Sequence, residues 1–214
     1  LSDATHTIET RATDQAGNVE TSYASDTLTI DTVKPTVSAL GTLDSNANGK
    51  LDGIKITLSE NIDDNKLSSG ASNWDVAGYG GESITTGTTA NDNLLQLNFN
   101  ESTYDTGATP VVTYTATASA NGTYDLASNE LANYSVNASD KALPILVYGT
   151  TKDNDSDGFL DQIVINFSED LNGSTVTNAD FTVAGYTLTA PDASEATGVV
   201  TLTLIEKTTN DVGT

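Results

Sequence analysis

The feature that most constrains the fold of this chain is an internal repeat. Pro35 and Pro144 lie 109 positions apart, and the residues that follow them match at the same offset as far as Glu60 and Glu169. Two further matches, at offsets of 107 and 105, pair residues 75–79 with 182–186 and residues 94–97 with 199–202. Because each repeat is one module that packs against its neighbours, the chain must be built from copies of a single small fold.

The repeat divides the chain into three parts. We expect residues 1–34 to be the last two strands of a partial module, residues 35–143 a complete module, and residues 144–214 a module without its last two strands. Two explanations are open for the incomplete ends. The chain is a stretch of a longer tandem array, which we favour because loose ends commonly arise by cutting, or the amino-terminal hairpin of one chain completes the last module of another.

The local pattern of apolar residues predicts an all-β fold. Ile54, Ile56 and Leu58 alternate with polar neighbours, and the matching residues 163–167 show the same alternation. A period of two buries one face of a strand. Short runs of this kind, separated by Gly, Asn, Asp and Ser, give about seven strands in each full period, which is typical of tandem immunoglobulin-like β-sandwich modules.

Composition excludes several classes of function. The 214 residues include 30 acidic and 8 basic side chains, with a formal net charge of −22, so nucleic acid and anionic membrane surfaces are poor partners and cations are better ones. Cysteine is absent and His6 is the only histidine, which removes thiolate and multi-histidine chemistry. No apolar run approaches the length of a membrane-spanning helix, and we expect neither membrane insertion nor enzymatic activity.

The strongest chemical signal is an aspartate-rich loop at residues 153–161. Asp153, Asp155, Asp157 and Asp161 occupy loop positions 1, 3, 5 and 9, and a glycine stands at position 6. Alternate residues of a tightly coiled loop point inward, and the backbone carbonyl of Phe159 adds an oxygen at position 7. An all-oxygen shell of this kind suits calcium better than magnesium, which needs stricter octahedral geometry.

A companion loop at residues 44–52 keeps the same frame with fewer charges. Its predicted ligands are Asp44, Asn46, Asn48, the backbone carbonyl of Lys50, and Asp52. Since ligand charge tunes calcium affinity, we expect the loop at 153–161 to bind more tightly. The alternative is that both loops are solvated acidic turns, because Asp, Asn and Gly favour turns without any metal.

The boundaries between modules carry weaker signals. Asp31 and Asp140 precede the two boundary prolines, where a linker calcium would stiffen the joint, although Asp before such a proline is also ordinary turn chemistry. Glu60 and Glu169 end equivalent strands and are either surface carboxylates or additional ligands.

These residues also carry a family resemblance. The run at 157–169, with residues 179–186, resembles the immunoglobulin-like repeats of bacterial S-layer proteins and large surface adhesins. Residues 1–18 and 31–35 resemble another bacterial immunoglobulin-like repeat type, used in adhesin stalks. The Asp-x-Asp-x-Asp-Gly-x-x-Asp frame is similar to calcium loops in integrin propellers and thrombospondin repeats. The resemblance implies an extracellular location at a cell surface.

We therefore expect a structural, calcium-stiffened repeat region of a surface layer, adhesin stalk or filament. Its partners are expected to be neighbouring modules or further copies of the same protein, with donor-strand contact between chains as one possibility. The alternative is a ligand- or carbohydrate-binding module of a secreted protein. That function needs an exposed aromatic platform or a polar cleft, and the chain has a single tryptophan.

Overall fold

The computed structural model describes residues 1–67, 73–118, 121–189, 191–194 and 198–207. In this part of the chain the regular structure consists of 14 strands and three short 3-10 helices, Asp64–Lys66, Gly173–Thr175 and Asn178–Asp180. All strand pairs between named strands are antiparallel. The prediction of an all-β protein is confirmed. No helix among the described residues is long and apolar enough to cross a bilayer.

The first structural unit is a two-stranded hairpin. Strands β1 (Ala4–Thr10) and β2 (Ala24–Ile30) pair with each other alone, in a register that places Ala4 opposite Ile30 and Thr10 opposite Ala24. Almost every residue of the two strands is exposed. We refer to this element as the amino-terminal hairpin.

The middle unit contains two sheets. The first has the order β3-β4-β7-β6 and the second the order β5-β8-β9. The strands are β3 (Val37–Leu43), β4 (Gly53–Leu58), β5 (Trp74–Val76), β6 (Ser83–Thr85), β7 (Leu94–Asn98), β8 (Val111–Tyr114) and β9 (Tyr134–Asn137).

The two sheets of the middle unit share one core. Ile54, Ile56 and Leu58 of β4 are buried in the same apolar cluster as Trp74 of β5 and Tyr114 of β8. The rings of Trp74 and Tyr114 lie 4.8 Å apart between centroids, a tilted aromatic contact of favourable geometry. The arrangement is sandwich-like, with the alternating apolar residues of each sheet turned toward the other.

The third unit has one sheet. Its strands pair in the order β10-β11-β14-β12, and β13 also pairs with β14. The strands are β10 (Leu146–Lys152), β11 (Gln162–Phe167), β12 (Thr187–Leu188), β13 (Asp192–Ser194) and β14 (Val199–Ile205). The core is small, with Ile165, Val200 and Leu202 buried at its centre. Within the described residues no second sheet covers it.

Candidate metal centres

The two aspartate-rich loops connect equivalent strands. Residues 44–52 join β3 to β4, and residues 153–161 join β10 to β11. Both loops place a non-glycine residue and then a glycine in the left-handed region: Ala47 (φ 55°) and Gly49 (φ 87°) in one, Ser156 (φ 63°) and Gly158 (φ 96°) in the other. A left-handed backbone is unfavourable for residues with a Cβ, so its recurrence at one place shows that both loops follow the same path.

The first aspartate of each loop turns inward and holds the coil closed. Asp44 accepts hydrogen bonds from the backbone N–H groups of Asn48 (3.1 Å) and Gly49 (2.7 Å). Asp153 accepts from those of Ser156 (2.7 Å) and Gly158 (3.1 Å). Because each carboxylate oxygen has more than one lone pair, both groups keep acceptor capacity directed into the loop.

The ninth residue closes the base of each loop. Asp52 accepts a hydrogen bond from the backbone N–H of Ser45 at 3.0 Å, and Asp161 accepts from that of Asn154. In the loop at 153–161 the closure brings carboxylate oxygens of Asp153 and Asp161 within 4.8 Å of each other. The hairpin geometry explains this closure, because the first and ninth residues of each loop lie next to the ends of two paired strands.

The carboxylates of the loop at 153–161 converge. Oxygen atoms of Asp153, Asp155 and Asp161 lie within 4.8 Å of one another, and so do oxygen atoms of Asp155, Asp157 and Glu206. The pKa of Asp155 is raised, first by desolvation and then by the charges of Asp157, Asp161 and Asp153, against a lowering hydrogen bond from the Asp157 backbone. Like charges held this close favour a bound cation or proton.

Glu206 and Glu101 are site residues that the sequence analysis missed. The pKa of Glu206 is raised, first by its hydrogen bond with Asp161 and then by the charge of Asp157. Glu101 accepts hydrogen bonds from the side-chain amides of Asn46 (2.8 Å) and Asn48 (2.9 Å). A signal was available, because the match of 94–97 with 199–202 at an offset of 105 continues to these two glutamates.

The loop at 44–52 is the less charged of the two centres. The hydrogen bonds from Asn48 and then Asn46, with a smaller contribution from the Lys50 charge, lower the pKa of Glu101. Both amides therefore present their nitrogen ends to Glu101.

The seventh residue of each loop, Lys50 or Phe159, makes a backbone hydrogen bond within the loop. The N–H of Phe159 donates to Asp157 (2.9 Å), and that of Lys50 donates to the side-chain oxygen of Asn48 (3.0 Å). The ammonium of Lys50 lies 4.9 Å from the ring centroid of Tyr104. The assignment of the Phe159 and Lys50 carbonyls as metal ligands stays a prediction.

The donor chemistry of both centres fits a hard cation. One centre gathers five carboxylates, those of Asp153, Asp155, Asp157, Asp161 and Glu206. In the other, Asp44 and Asp52 stand at the two ends of the loop, and Glu101 is held by the side-chain amides of Asn46 and Asn48. All side-chain donors predicted or found here offer oxygen, which is the ligand type of calcium and magnesium.

A third acidic cluster lies at the first module boundary. Carboxylate oxygens of Asp31, Glu60 and Asp125 lie within 4.8 Å of one another. Asp125 is buried (1% exposed) and accepts hydrogen bonds from the backbone and side-chain amide of Asn129, both at 2.8 Å. Burial, and then the charges of Asp125 and Asp31, raise the pKa of Glu60. Sequence analysis paired Asp31 with a possible linker site but missed Asp125.

The second boundary has a related set of groups. Burial raises the pKa of Glu169, and the charges of Asp140 and Asp105 act in the same direction, against a hydrogen bond from Thr106. An open cleft lies between these side chains. Glu60 thus belongs to the cluster at the first boundary, and Glu169 lies at the second boundary, next to Ser168, which packs against Gly49 of the loop at 44–52.

Comparisons of the chain with models of known protein families, with curated proteins and with solved structures found no match.

Proposed function

We propose that this chain is a calcium-stiffened structural repeat of an extracellular array, built from tandem immunoglobulin-like β-sandwich modules. We propose that the repeat forms part of a surface layer, an adhesin stalk or a filament. The observation that carries the proposal is the repetition of one oxygen-rich loop, with the same backbone path and an added glutamate, at the same place in two units. An ordinary solvated turn does not require a glutamate from beyond another strand, such as Glu101 or Glu206, to lie against it.

The residues of each centre link separate parts of a unit. Asp44 and Asp52 stand at the two ends of the hairpin loop between β3 and β4, whereas Glu101 follows β7. A calcium ion, when bound, supplies positive charge that several oxygens share. The loop would thus be held to the end of the neighbouring strand, and the repulsion among its carboxylates would be removed.

Calcium binding would stabilise the folded state by mass action. A ligand that binds only the folded state contributes RT ln(1 + [L]/Kd), which is about 2.7 kcal/mol at 100 times the dissociation constant. Extracellular calcium is kept high and cytosolic calcium low, so an array of such units would be compliant before export and rigid afterwards. This difference supports an extracellular location at the cell surface.

The test is thermal unfolding in calcium and in EDTA. We expect a higher midpoint in calcium for the wild type. Asp157→Ala should reduce that difference more than Asn48→Ala, because it removes a charged ligand from the more acidic centre. Asp75→Ala removes an exposed carboxylate outside both loops and should leave the difference unchanged. Equal midpoints in calcium and EDTA would reject the proposal.

The alternative function, carbohydrate binding, receives little support from the only tryptophan. Trp74 is 5% exposed, and its indole N–H donates to the hydroxyl of Thr123 at 3.1 Å. A buried indole with a satisfied N–H has no face free to stack on a sugar. Neighbouring modules and further copies of the chain are the partners we propose instead.

A further inference from the structure

The middle and third units meet at a buried threonine. Thr106 lies in the segment between β7 and β8 of the middle unit and is 0% exposed. Its backbone N–H donates to the carbonyl of Ser168 at 3.2 Å. Its hydroxyl lies 2.6 Å from the hydroxyl of Ser168 and donates to the carboxylate of Glu169 at 2.8 Å. Ser168 and Glu169 follow β11, so two consecutive residues of the third unit hold one side chain of the middle unit.

The hydrogen bonds around Thr106 form a chain with one direction. A hydroxyl has a single proton to donate, and Thr106 gives its proton to Glu169. Ser168 therefore donates to Thr106, while its own oxygen accepts the backbone N–H of Ile145 at 2.9 Å. Ser168 is 4% exposed. Removal of the Thr106 hydroxyl would thus take from a buried donor the acceptor that it has here, which carries a desolvation cost.

Two glycines of the middle unit permit this close approach. A Cβ on Gly49 would lie 3.2 Å from the Cβ of Ser168, and a Cβ on Gly107 would lie 3.2 Å from the Cβ of Glu169. Both distances are shorter than ordinary van der Waals contact between carbon atoms. A side chain at either position would therefore press against the third unit, whereas glycine leaves the space that the contact needs.

The serine of this contact has a counterpart in the middle unit. Ser59 matches Ser168 in the repeat, and its hydroxyl oxygen accepts the backbone N–H of Thr36 at 2.9 Å. The bond corresponds to the one between Ser168 and Ile145. Ser59 is nevertheless exposed. The local geometry of the strand end therefore leaves the serine accessible, and it is the middle unit that buries Ser168.

The linker between the two units, residues 138–145, is anchored as well. Ser139 exchanges two backbone hydrogen bonds with β3, both at 3.0 Å. The hydroxyl of Thr42 on the same strand accepts the backbone N–H groups of residues 141–142. Two residues, one of them Pro144 with its fixed φ, separate this anchored segment from Ile145. The linker thus has little freedom to swing.

Carboxylates around the contact act against it. Asp105 of the middle unit, Asp140 of the linker and Asp170 line the same open cleft as Glu169, and all three are exposed. Repulsion between exposed charges is screened over about 10 Å at about 0.1 M salt, whereas the hydrogen bonds of the buried Thr106 are not. At that ionic strength we expect the hydrogen bonds to prevail.

We propose that the middle and third units behave as one rigid body in solution without bound metal, and that Thr106, held between Ser168 and Glu169, positions them. Units joined within one chain move relative to each other by default. Here the buried hydroxyl contact and the anchored linker restrain that motion. The restraint is independent of the proposed calcium sites, and it is therefore tested in EDTA.

The experiment measures a distance between the two units in the full chain. The sequence has no cysteine, so Lys55→Cys on β4 and Thr150→Cys on β10 introduce two exposed sites for spin labels. Double electron–electron resonance in EDTA, at the ionic strength given above, should give one narrow distance distribution. Adding Thr106→Val, which keeps the shape of the side chain and removes its hydroxyl, should replace this narrow distribution with a broad one.

A second variant tests the other side of the contact, and a matched control tests its specificity. Ser168→Ala should broaden the distribution as Thr106→Val does. Thr113→Val removes a hydroxyl that lies 3.2 Å from the hydroxyl of Ser135 within the middle unit, and should leave the distribution narrow.

Folding of both units is checked in every variant. Fluorescence of Trp74 reports on the middle unit, and amide exchange of Val200 reports on the third, since both residues are buried. A broad distribution in the labelled chain that lacks further substitutions would overturn the proposal. So would a narrow distribution in either folded joint variant, or equal broadening in Thr113→Val. Should Thr106→Val unfold a unit, Ser168→Ala decides the outcome.

Discussion

Leu51 anchors the loop at 44–52 to the core, and its truncation should give a measurable loss of stability. The residue lies in the loop at 44–52 and is 1% exposed, within the main apolar cluster. Leu51→Ala removes three buried carbons, worth about 0.8 kcal/mol each on transfer. The unfilled cavity adds to this, so we expect a loss of about 3 kcal/mol, within the range of about 2–5 kcal/mol typical of such substitutions.

The assay is urea unfolding followed by the fluorescence of Trp74, in EDTA. Trp74 is the only tryptophan and is buried in the middle unit, so its signal reports on the unit that contains Leu51. With a slope of about 1–3 kcal/mol per molar urea, the midpoint should fall by about 1–3 M. Leu94→Ala is the matched control, because Leu94 lies on β7 in the same unit but is 36% exposed. Its expected loss is about 1 kcal/mol, and equal losses for the two variants would refute the anchoring role of Leu51.

Three further predictions concern the glutamates and the linker. Glu206→Gln and Glu101→Gln should each weaken calcium binding at one loop only, so a calorimetric titration that keeps two unchanged binding events would contradict their assignment as ligands. The pKa of Glu60 is raised, so its stabilising contribution is present at low pH and lost as the pH rises through that pKa. In EDTA, Glu60→Gln should therefore raise the thermal midpoint at about pH 7 and have a diminishing effect toward about pH 4, and a gain that is constant with pH would argue against this. Thr42 is 0% exposed, and its hydroxyl accepts the backbone N–H groups of Lys141 (2.9 Å) and the next residue (3.1 Å). Thr42→Val leaves both donors unpaired and should cost about 1–3 kcal/mol in urea unfolding, whereas an unchanged midpoint would show that water replaces the hydroxyl.

Local patterns in the sequence were sufficient for the all-β class, and they also marked the two aspartate-rich loops, whose role as metal ligands stays a prediction. The alternation of Ile54, Ile56 and Leu58 predicted β4, because burial of one face is a property of neighbouring residues along one strand. The loop aspartates were found in the same way, since their spacing within nine residues determines which of them face inward. The all-β class was predicted because alternating apolar segments of this kind recur along the whole chain.

The positions of Glu101 and Glu206 beside the loops depend on strand pairing, and strand pairing cannot be read directly from the sequence. Gly53 at the end of the loop at 44–52 pairs with Asn98 at the end of β7, and this register carries Glu101 to the loop. In the third unit Gln162 pairs with Thr203, and Glu206 follows in the same manner. About 50 residues separate each glutamate from its loop, so only the repeat itself pointed to them.

Asp125 was missed for a different reason. In the sequence it belongs to a turn, and turn aspartates are usually solvent-exposed. In the structure Asp125 forms a backbone bridge with Ile62, which belongs to the core cluster of the middle unit, and the carboxylate is buried there. The matching Asp14 is exposed in the amino-terminal hairpin, where no described sheet covers it, which shows that burial here comes from the tertiary partner rather than from the local sequence.

The most direct test of the calcium account is a crystal structure determined from calcium-containing buffer, with anomalous diffraction data that identify the ion. We expect one calcium in each loop, bound among others by Asp153, Asp155 and Asp161 in one and by Asp44 and Asp52 in the other, with higher occupancy in the first. Two loops that hold only water or sodium under these conditions would contradict it.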